Sequence, residues 1–177
     1  NIQYGQPVKP CHKTVRYWDC AATKANDTND PDWTVGLKLG IYQGLYYVLD
    51  VQRMRDNPGN VETRIKETAV IDGPSCAIVM EMEGGSSGKA IVDHYARTVL
   101  GGFNFRGEHP TGNKVERAKP VSAAVHNKLL FLTPMPWNHD LIHELVAFPN
   151  GSHDDQVDAL SGAFNALNFG VSDVSRF

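Results

Sequence analysis

Three separated stretches of the chain carry carboxylates at the end or edge of an expected core element. Asp19 stands inside Thr14-Val15-Arg16-Tyr17-Trp18-Asp19-Cys20-Ala21, a β-branched and aromatic run that reads as a strand. An acid there is unfavourable unless it is paired or binds a cation. Glu81 and Glu83 close the apolar run Cys76 to Met82, and strand alternation puts both on one face. Asp154, Asp155 and Asp158 follow Gly151-Ser152-His153 and open the last helical pattern. Asp155 and Asp158, three apart, share a helix face. Hard divalent cations take such oxygen ligands. Two neighbouring ions can bridge a phosphodiester, one preparing a water for attack and the other stabilising the leaving oxygen.

Each group also has a plain structural reading. Asp154 and Asp155 suit an N-cap and a first helical turn, and Glu83 suits solvent. Asp19 has no such reading, because nothing about a strand centre asks for Asp. His153, beside the Asp pair, fits a residue supporting a metal site, a proton carrier or a loop residue that orients the turn. Arg106, Lys114, Arg117 and Lys119 form the main basic stretch, diluted by Glu116. They fit phosphate contacts and a solvated helix face equally well.

Two other patterns fail on their spacing. Gly84-Gly85-Ser86-Ser87-Gly88-Lys89 lacks the phosphate-loop pattern, having Glu83 where Gly is needed and Ala90 where Ser or Thr is needed. A tight turn with Ser capping the next helix is expected instead. His139 and His143 are four apart, but Asp140 replaces the Glu of a metalloprotease helix, so they read as surface histidines. Trp18, Trp33 and Trp137 read as core.

The elements that must position these residues alternate in type. Strands are expected over Thr14 to Ala21, Thr34 to Tyr42 and Leu45 to Val51, joined as an antiparallel meander with a turn at Gln43-Gly44. Between the first two lies a polar loop, Lys24 to Asp32. A helix capped by Asn60 and stopped by Asp72-Gly73-Pro74 follows. Then come a buried strand over Cys76 to Met82, a helix through Ala90 to Val99 and a short strand at Phe103-Asn104-Phe105. Last are a helix from Lys114 to His126 disturbed at Pro120, a strand at Leu129 to Leu132, and helices over Asn138 to Phe148 and Asp155 to Leu167. The order implies an α/β fold, one mixed sheet with helices on both faces.

Composition narrows the class further. The chain has 177 residues, 41% apolar and 21% charged, which fits one ordinary globular domain. Its formal net charge of −3 excludes a strongly basic nucleic-acid coat but not a local basic groove. No apolar run is long enough for a membrane span, and no signal-peptide pattern opens the chain. Three cysteines without a C-x-x-C pair argue against a disulfide framework and a zinc finger, and favour a reducing compartment. The first residue is Asn rather than Met, so a fragment or processed product is expected. Residues 1–10 read as a linker remnant, 11–168 as the folded domain and 169–177 as a flexible tail.

Several blocks, in order, resemble the nuclease domain of tailed-phage terminase large subunits. They are Arg16 to Ala21, Asp32-Trp33-Thr34-Val35-Gly36, Glu81 to Lys89, Thr111-Gly112-Asn113-Lys114 with Arg117-Ala118 and Pro120, Glu144-Leu145 with Phe148-Pro149, and Gly151 to Leu160. The resemblance implies an RNase H-like fold related to junction resolvases. It implies a divalent-metal endonuclease, using two Mg²⁺ or Mn²⁺ ions, that cuts concatemeric viral DNA during packaging. On this carry-over Asp19, Glu81 and Asp155 are catalytic, and Asp158 completes the metal ligands. Glu83 and Asp154 are alternatives, with His153 beside the metal site. Arg106, Lys114, Arg117 and Lys119 would contact DNA. The partners implied are double-stranded DNA and, for the full-length protein, portal and small terminase subunit. The place of action would be the host cell cytoplasm, not the mature virion. No Walker A pattern is present, so the packaging motor is not in this chain. Competing readings are a Holliday-junction-type resolvase, a non-catalytic DNA-binding or regulatory module, and a phosphotransferase fragment. The last lacks a Gly-bearing hairpin at Asn26-Asp27-Thr28.

Overall fold

The computed structural model of the chain describes residues 2–21 and 32–169. The 169–177 tail lies outside them apart from Phe169, as does the polar loop Lys24 to Asp32 apart from Asp32. Seven strands form one mixed sheet: β1 (Gln3–Tyr4), β2 (Lys13–Asp19), β3 (Thr34–Tyr42), β4 (Leu45–Met54), β5 (Ala77–Glu81), β6 (Phe105–Glu108) and β7 (Leu130–Leu132). Their spatial order is β1-β7-β4-β3-β2-β5-β6. The expected meander is β2-β3-β4, antiparallel throughout, and β5, β6 and β7 add in parallel after crossovers.

Among the described residues five helices cover the two faces: α1 (Pro58–Asp72), α2 (Ser86–His94, continued by a π-helical turn Tyr95–Val99), α3 (Lys114–His126), α4 (Asn138–Ala147) and α5 (Asp155–Phe169). Alternation along β2 divides the core. Val15 and Tyr17 face α3, α4 and α5, packing with Leu141, Leu160 and Ala163. Trp18 faces α1 and the π turn, packing with Ile65, Ala69, Tyr95 and Val99. β5 is buried on both faces, with Val79 on the first and Ile78 and Met80 on the second. Among the described residues no helix is long and apolar enough to cross a membrane.

Several local expectations are corrected. The cap of α1 is Asn57, whose side chain accepts from Asn60 N, because Pro58 supplies the preset first helical position. No Ser side chain caps α2; Gly85, at φ 94°, precedes it. The strand expected at 103–105 lies at Phe105–Glu108, because a parallel register with β5 outweighs the apolar pair Phe103 and Phe105. α3 runs from Lys114 to His126 with Pro120 inside it, where the missing N–H leaves a gap in the hydrogen-bond ladder. Within the arm 1–10, Gln3–Tyr4 pairs in parallel with β7 as an edge strand.

Candidate functional site

Parallel and antiparallel registers converge at one end of the sheet. Trp18 pairs with Met80, so the next residues, Asp19 and Glu81, lie side by side at the carboxyl ends of β2 and β5. Glu81 pairs with Glu108 on β6, Asp19 with Val35 on β3, and Val35 with Arg53 on β4. Paired residues share a face, so Glu108, Glu81, Asp19, Val35 and Arg53 form one row across five strands, on the side covered by α5.

α5 brings the second set of acids over that row. Its close approach to β2 depends on Gly162, where a Cβ would enter the Tyr17 ring. The buried Glu144 of α4 fixes the start of α5. Its carboxylate accepts from Gln156 N at 2.5 Å, Val157 N at 3.2 Å and Gln156 Nε2 at 2.7 Å, satisfying the first free N–H groups of the helix. Asp154 accepts Asp158 N through its backbone carbonyl at 2.8 Å, so it holds the N-cap position while its side chain points elsewhere. Asp155 is buried and its Oδ2 accepts Trp33 N at 3.1 Å.

The site is crowded with negative charge. Burial, then the neighbouring Glu81, Asp158 and Asp155, push the Asp19 carboxyl up to about 8 despite Lys114. Burial also raises Glu81, with Asp158 adding to it and Arg117 opposing it. Asp155 is raised by burial, against the Trp33 N–H. Tyr17 donates its hydroxyl to Glu81 Oε2 at 3.3 Å, and its ionisation is suppressed by burial and by Glu81, Glu108 and Asp19.

Cations approach from two sides. On α3, Lys114 Nζ lies 2.7 Å from Asp154 and 3.1 Å from Asp158, and Arg117 Nη2 lies 3.0 Å from the other Asp158 oxygen. Asn113 caps α3 by accepting Glu116 N at 2.9 Å, which aims this turn at the acids. From the other side, Arg55 Nη2 is 3.4 Å from His153 Nε2, and His153 Nδ1 is 3.8 Å from Asp155 Oδ2. The Arg53 and Arg55 guanidinium carbons lie 4.0 and 4.1 Å from the Trp33 ring centre. Asp32, His153 and Asp155 place ligand atoms within 4.8 Å of one another.

The structure thus joins Asp19, Glu81, Asp154, Asp155, Asp158, His153, Lys114 and Arg117. It does not join Glu83. β5 ends at Glu81, so alternation stops before Glu83, which is exposed in the following loop. Arg106 lies in β6 and pairs with Glu108 at 3.5 Å, and Lys119 is exposed beside Glu116. His139 and His143 are exposed, as surface histidines should be. Asp32, Trp33, Arg53, Arg55, Glu108 and Glu144 are site residues that escape the sequence pattern. Trp33 packs on the core edge, but its N–H and ring both serve the site.

Acids gathered at adjoining strand ends of a mixed sheet, faced by acids on a final helix, define the RNase H-like class. The chain belongs to the terminase RNase H-like domain family, whose model matches residues 16–167. No curated protein sequence matches it. Among solved structures, it is similar to the human cytomegalovirus terminase nuclease domain, Mn soaked and inhibitor bound, with 13% identity, TM-score 0.66, and 90% of this chain and 84% of that one covered. It is similar to the large terminase nuclease of thermophilic phage G20c with bound zinc, with 16% identity, TM-score 0.61, and 93% and 92% covered. Against the large terminase of another thermophilic bacteriophage the values are 13% and 0.60, and the chain, covered to 96%, spans 43% of that protein. The fold is that of terminase nuclease domains.

Proposed function

We propose that this chain is a metal-dependent endonuclease that hydrolyses phosphodiester bonds of double-stranded DNA. In a full-length large terminase it would cut concatemeric viral DNA during packaging, in the host cell cytoplasm, in contact with portal and small subunit. The observation that carries the reading is the partly compensated acid cluster: Asp19 beside Glu81, with Asp155 and Asp158 across from them and an Asp19 carboxyl raised to about 8. Two half-buried carboxylates on adjoining strands, faced by the buried Asp155 and Asp158, ask for cations, and an all-oxygen donor set suits Mg²⁺ or Mn²⁺. The Mn-soaked and zinc-bound terminase nuclease structures support a metal-binding reading.

Asp19, Glu81 and Asp155 would hold the metal, with Asp158 at its edge. Asp155 also belongs to the Asp32–His153 group, so two neighbouring ions would have a shared ligand. Bound divalent ions supply Lewis-acid polarisation of the phosphodiester and a lowered water pKa. The protein's own groups do the rest. Lys114 and Arg117 hold Asp158 in place and present positive charge to a phosphate. The Trp33 N–H fixes Asp155, and His153 beside it can carry a proton.

The test is plasmid cleavage with Mg²⁺ or Mn²⁺, with EDTA, and with Asp19→Ala. Metal-dependent cutting that the substitution abolishes is expected, without ATP and with little sequence preference, since no nucleotide loop or base-reading motif is present. A folded, fully active Asp19→Ala protein, or one dominant cut site, would refute the assignment.

A further inference from the structure

The α3 cations flank the acid row on one side only. The row itself continues in the other direction to Arg53, paired with Val35, which pairs with Asp19. Strands lie about 4.8 Å apart, so Arg53 starts roughly 10 Å from Asp19 along the row, close to three nucleotides of rise on one DNA strand. Arg55 follows two residues later and reaches His153. Both guanidinium groups rest on Trp33, whose N–H binds Asp155. Beyond the site itself, Arg53 has Asp140, at 3.3 Å through Nη1, and that carboxylate is more than half exposed. A bond so open to water is weak and readily exchanged.

We infer that Arg53, held beside Arg55 on Trp33 at the end of β4, forms a second phosphate-contacting flank, so that the DNA backbone crosses the acid row between it and the α3 cations. Asp140 is then the stand-in anion that a phosphate displaces from Arg53. The inference rests on the DNA-cutting reading above and adds where the strand runs.

Binding of a short fluorescein-labelled duplex, followed by anisotropy without divalent metal across a salt series, tests it. Arg53→Gln should weaken affinity about three- to tenfold at low salt and reduce the slope of log K against log salt by about 0.9. Asp140→Asn should tighten binding, because it frees Arg53. The exposed α1 residues Arg64 and Glu67 supply matched charge changes on the opposite face of the sheet. Arg64→Gln and Glu67→Gln should therefore change binding less than their counterparts. A purely propping role for Arg53 would lower metal-dependent stability and leave the salt slope alone. Unchanged slope and affinity in Arg53→Gln would overturn the inference. If that variant does not fold, Asp140→Asn binding no tighter than Glu67→Gln would do so. A wild-type chain that binds DNA and cuts it, with Arg53 silent, refutes only this flank. A wild type that neither binds nor cuts refutes the DNA reading itself.

Discussion

Two ionic groups sit on opposite faces of the same sheet and are settled in opposite ways. On the α1 face, Arg16 is 1% exposed and lies in register with Lys38, which pairs with Asp50. Arg16 donates to Asp72 at 2.7 and 3.0 Å, to Asp50 at 2.8 Å and to the Gly36 carbonyl at 2.9 Å, and Lys38 adds a 2.9 Å contact to Asp72. Burial alone would raise Asp72, but the Arg16 hydrogen bonds and charge outweigh it and hold it below its ordinary value. On the α5 face, Asp19, Glu81 and Asp155 are all raised; Lys114 offsets Asp19, Arg117 and Lys114 offset Glu81, and the Trp33 N–H offsets Asp155, each only in part. The first group balances its charges from within. The second leaves its acids only partly balanced, as the proposed binding site for cations would require.

The largest expected effect breaks the second group. Asp19→Asn should lower metal-dependent cleavage at least about a thousandfold, the several kcal/mol that correct metal placement supplies. It should leave the metal-free melting temperature equal or higher, since it removes repulsion. Cleavage kinetics beside a thermal melt decide this.

Breaking the first group should do the reverse. Arg16→Met strands two carboxylates near or in the core and should cost about 3–5 kcal/mol, roughly 10 °C in melting temperature. Loss of activity should follow loss of fold, and denaturant unfolding measures it.

The two groups should also part with pH. Asp19 has a raised folded pKa, so the unfolded chain releases that proton first, near pH 4. Metal-free stability attributable to Asp19 should therefore fall between about pH 4 and pH 8. Asp72 has a lowered folded pKa, so its contribution is present above about pH 4 and is lost as pH falls through the folded value. Melts across this range should show a decline toward pH 8 that Asp19→Asn flattens and Asp72→Asn does not.

The smallest effect concerns the partial compensation. Lys114→Ala should weaken cleavage severalfold at all sites alike and reduce the salt slope of DNA binding by about 0.9. Mapping cut ends over a salt series checks it.

Much of this is legible in residue types and spacing. The antiparallel meander, the mixed sheet and helices on both faces follow from strong periodicity, and β3 and α3 have the expected ends. Asp19 stands out because an acid is costly inside a strand, and Glu81 and Asp155 are singled out by the family resemblance. What escapes depends on register and long-range contact. Glu108 is hidden because Arg106-Gly107-Glu108 has no apolar alternation, and pairing with β5 alone makes it a strand. Arg53 and Arg55 are hidden because the apolar pattern of β4 fades after Val51 while its ladder with β3 continues to Met54. The Glu144 cap spans two helices, so no local pattern announces it. Glu83 falls outside the site because alternation holds only within the strand, and the strand stops at Glu81.

The central claim is that the acid row is a divalent-metal site, and the most direct measurement is the metal dependence of the melt. An ion bound only by the folded chain stabilises it by about 2.7 kcal/mol at a hundredfold excess over Kd, several degrees for a domain of this size. The account predicts that Mn²⁺ raises the melting temperature of the wild type and that Asp19→Asn or Asp155→Asn loses most of the rise. A wild-type melt indifferent to millimolar Mn²⁺ and Mg²⁺, or a rise that both substitutions keep in full, would contradict it.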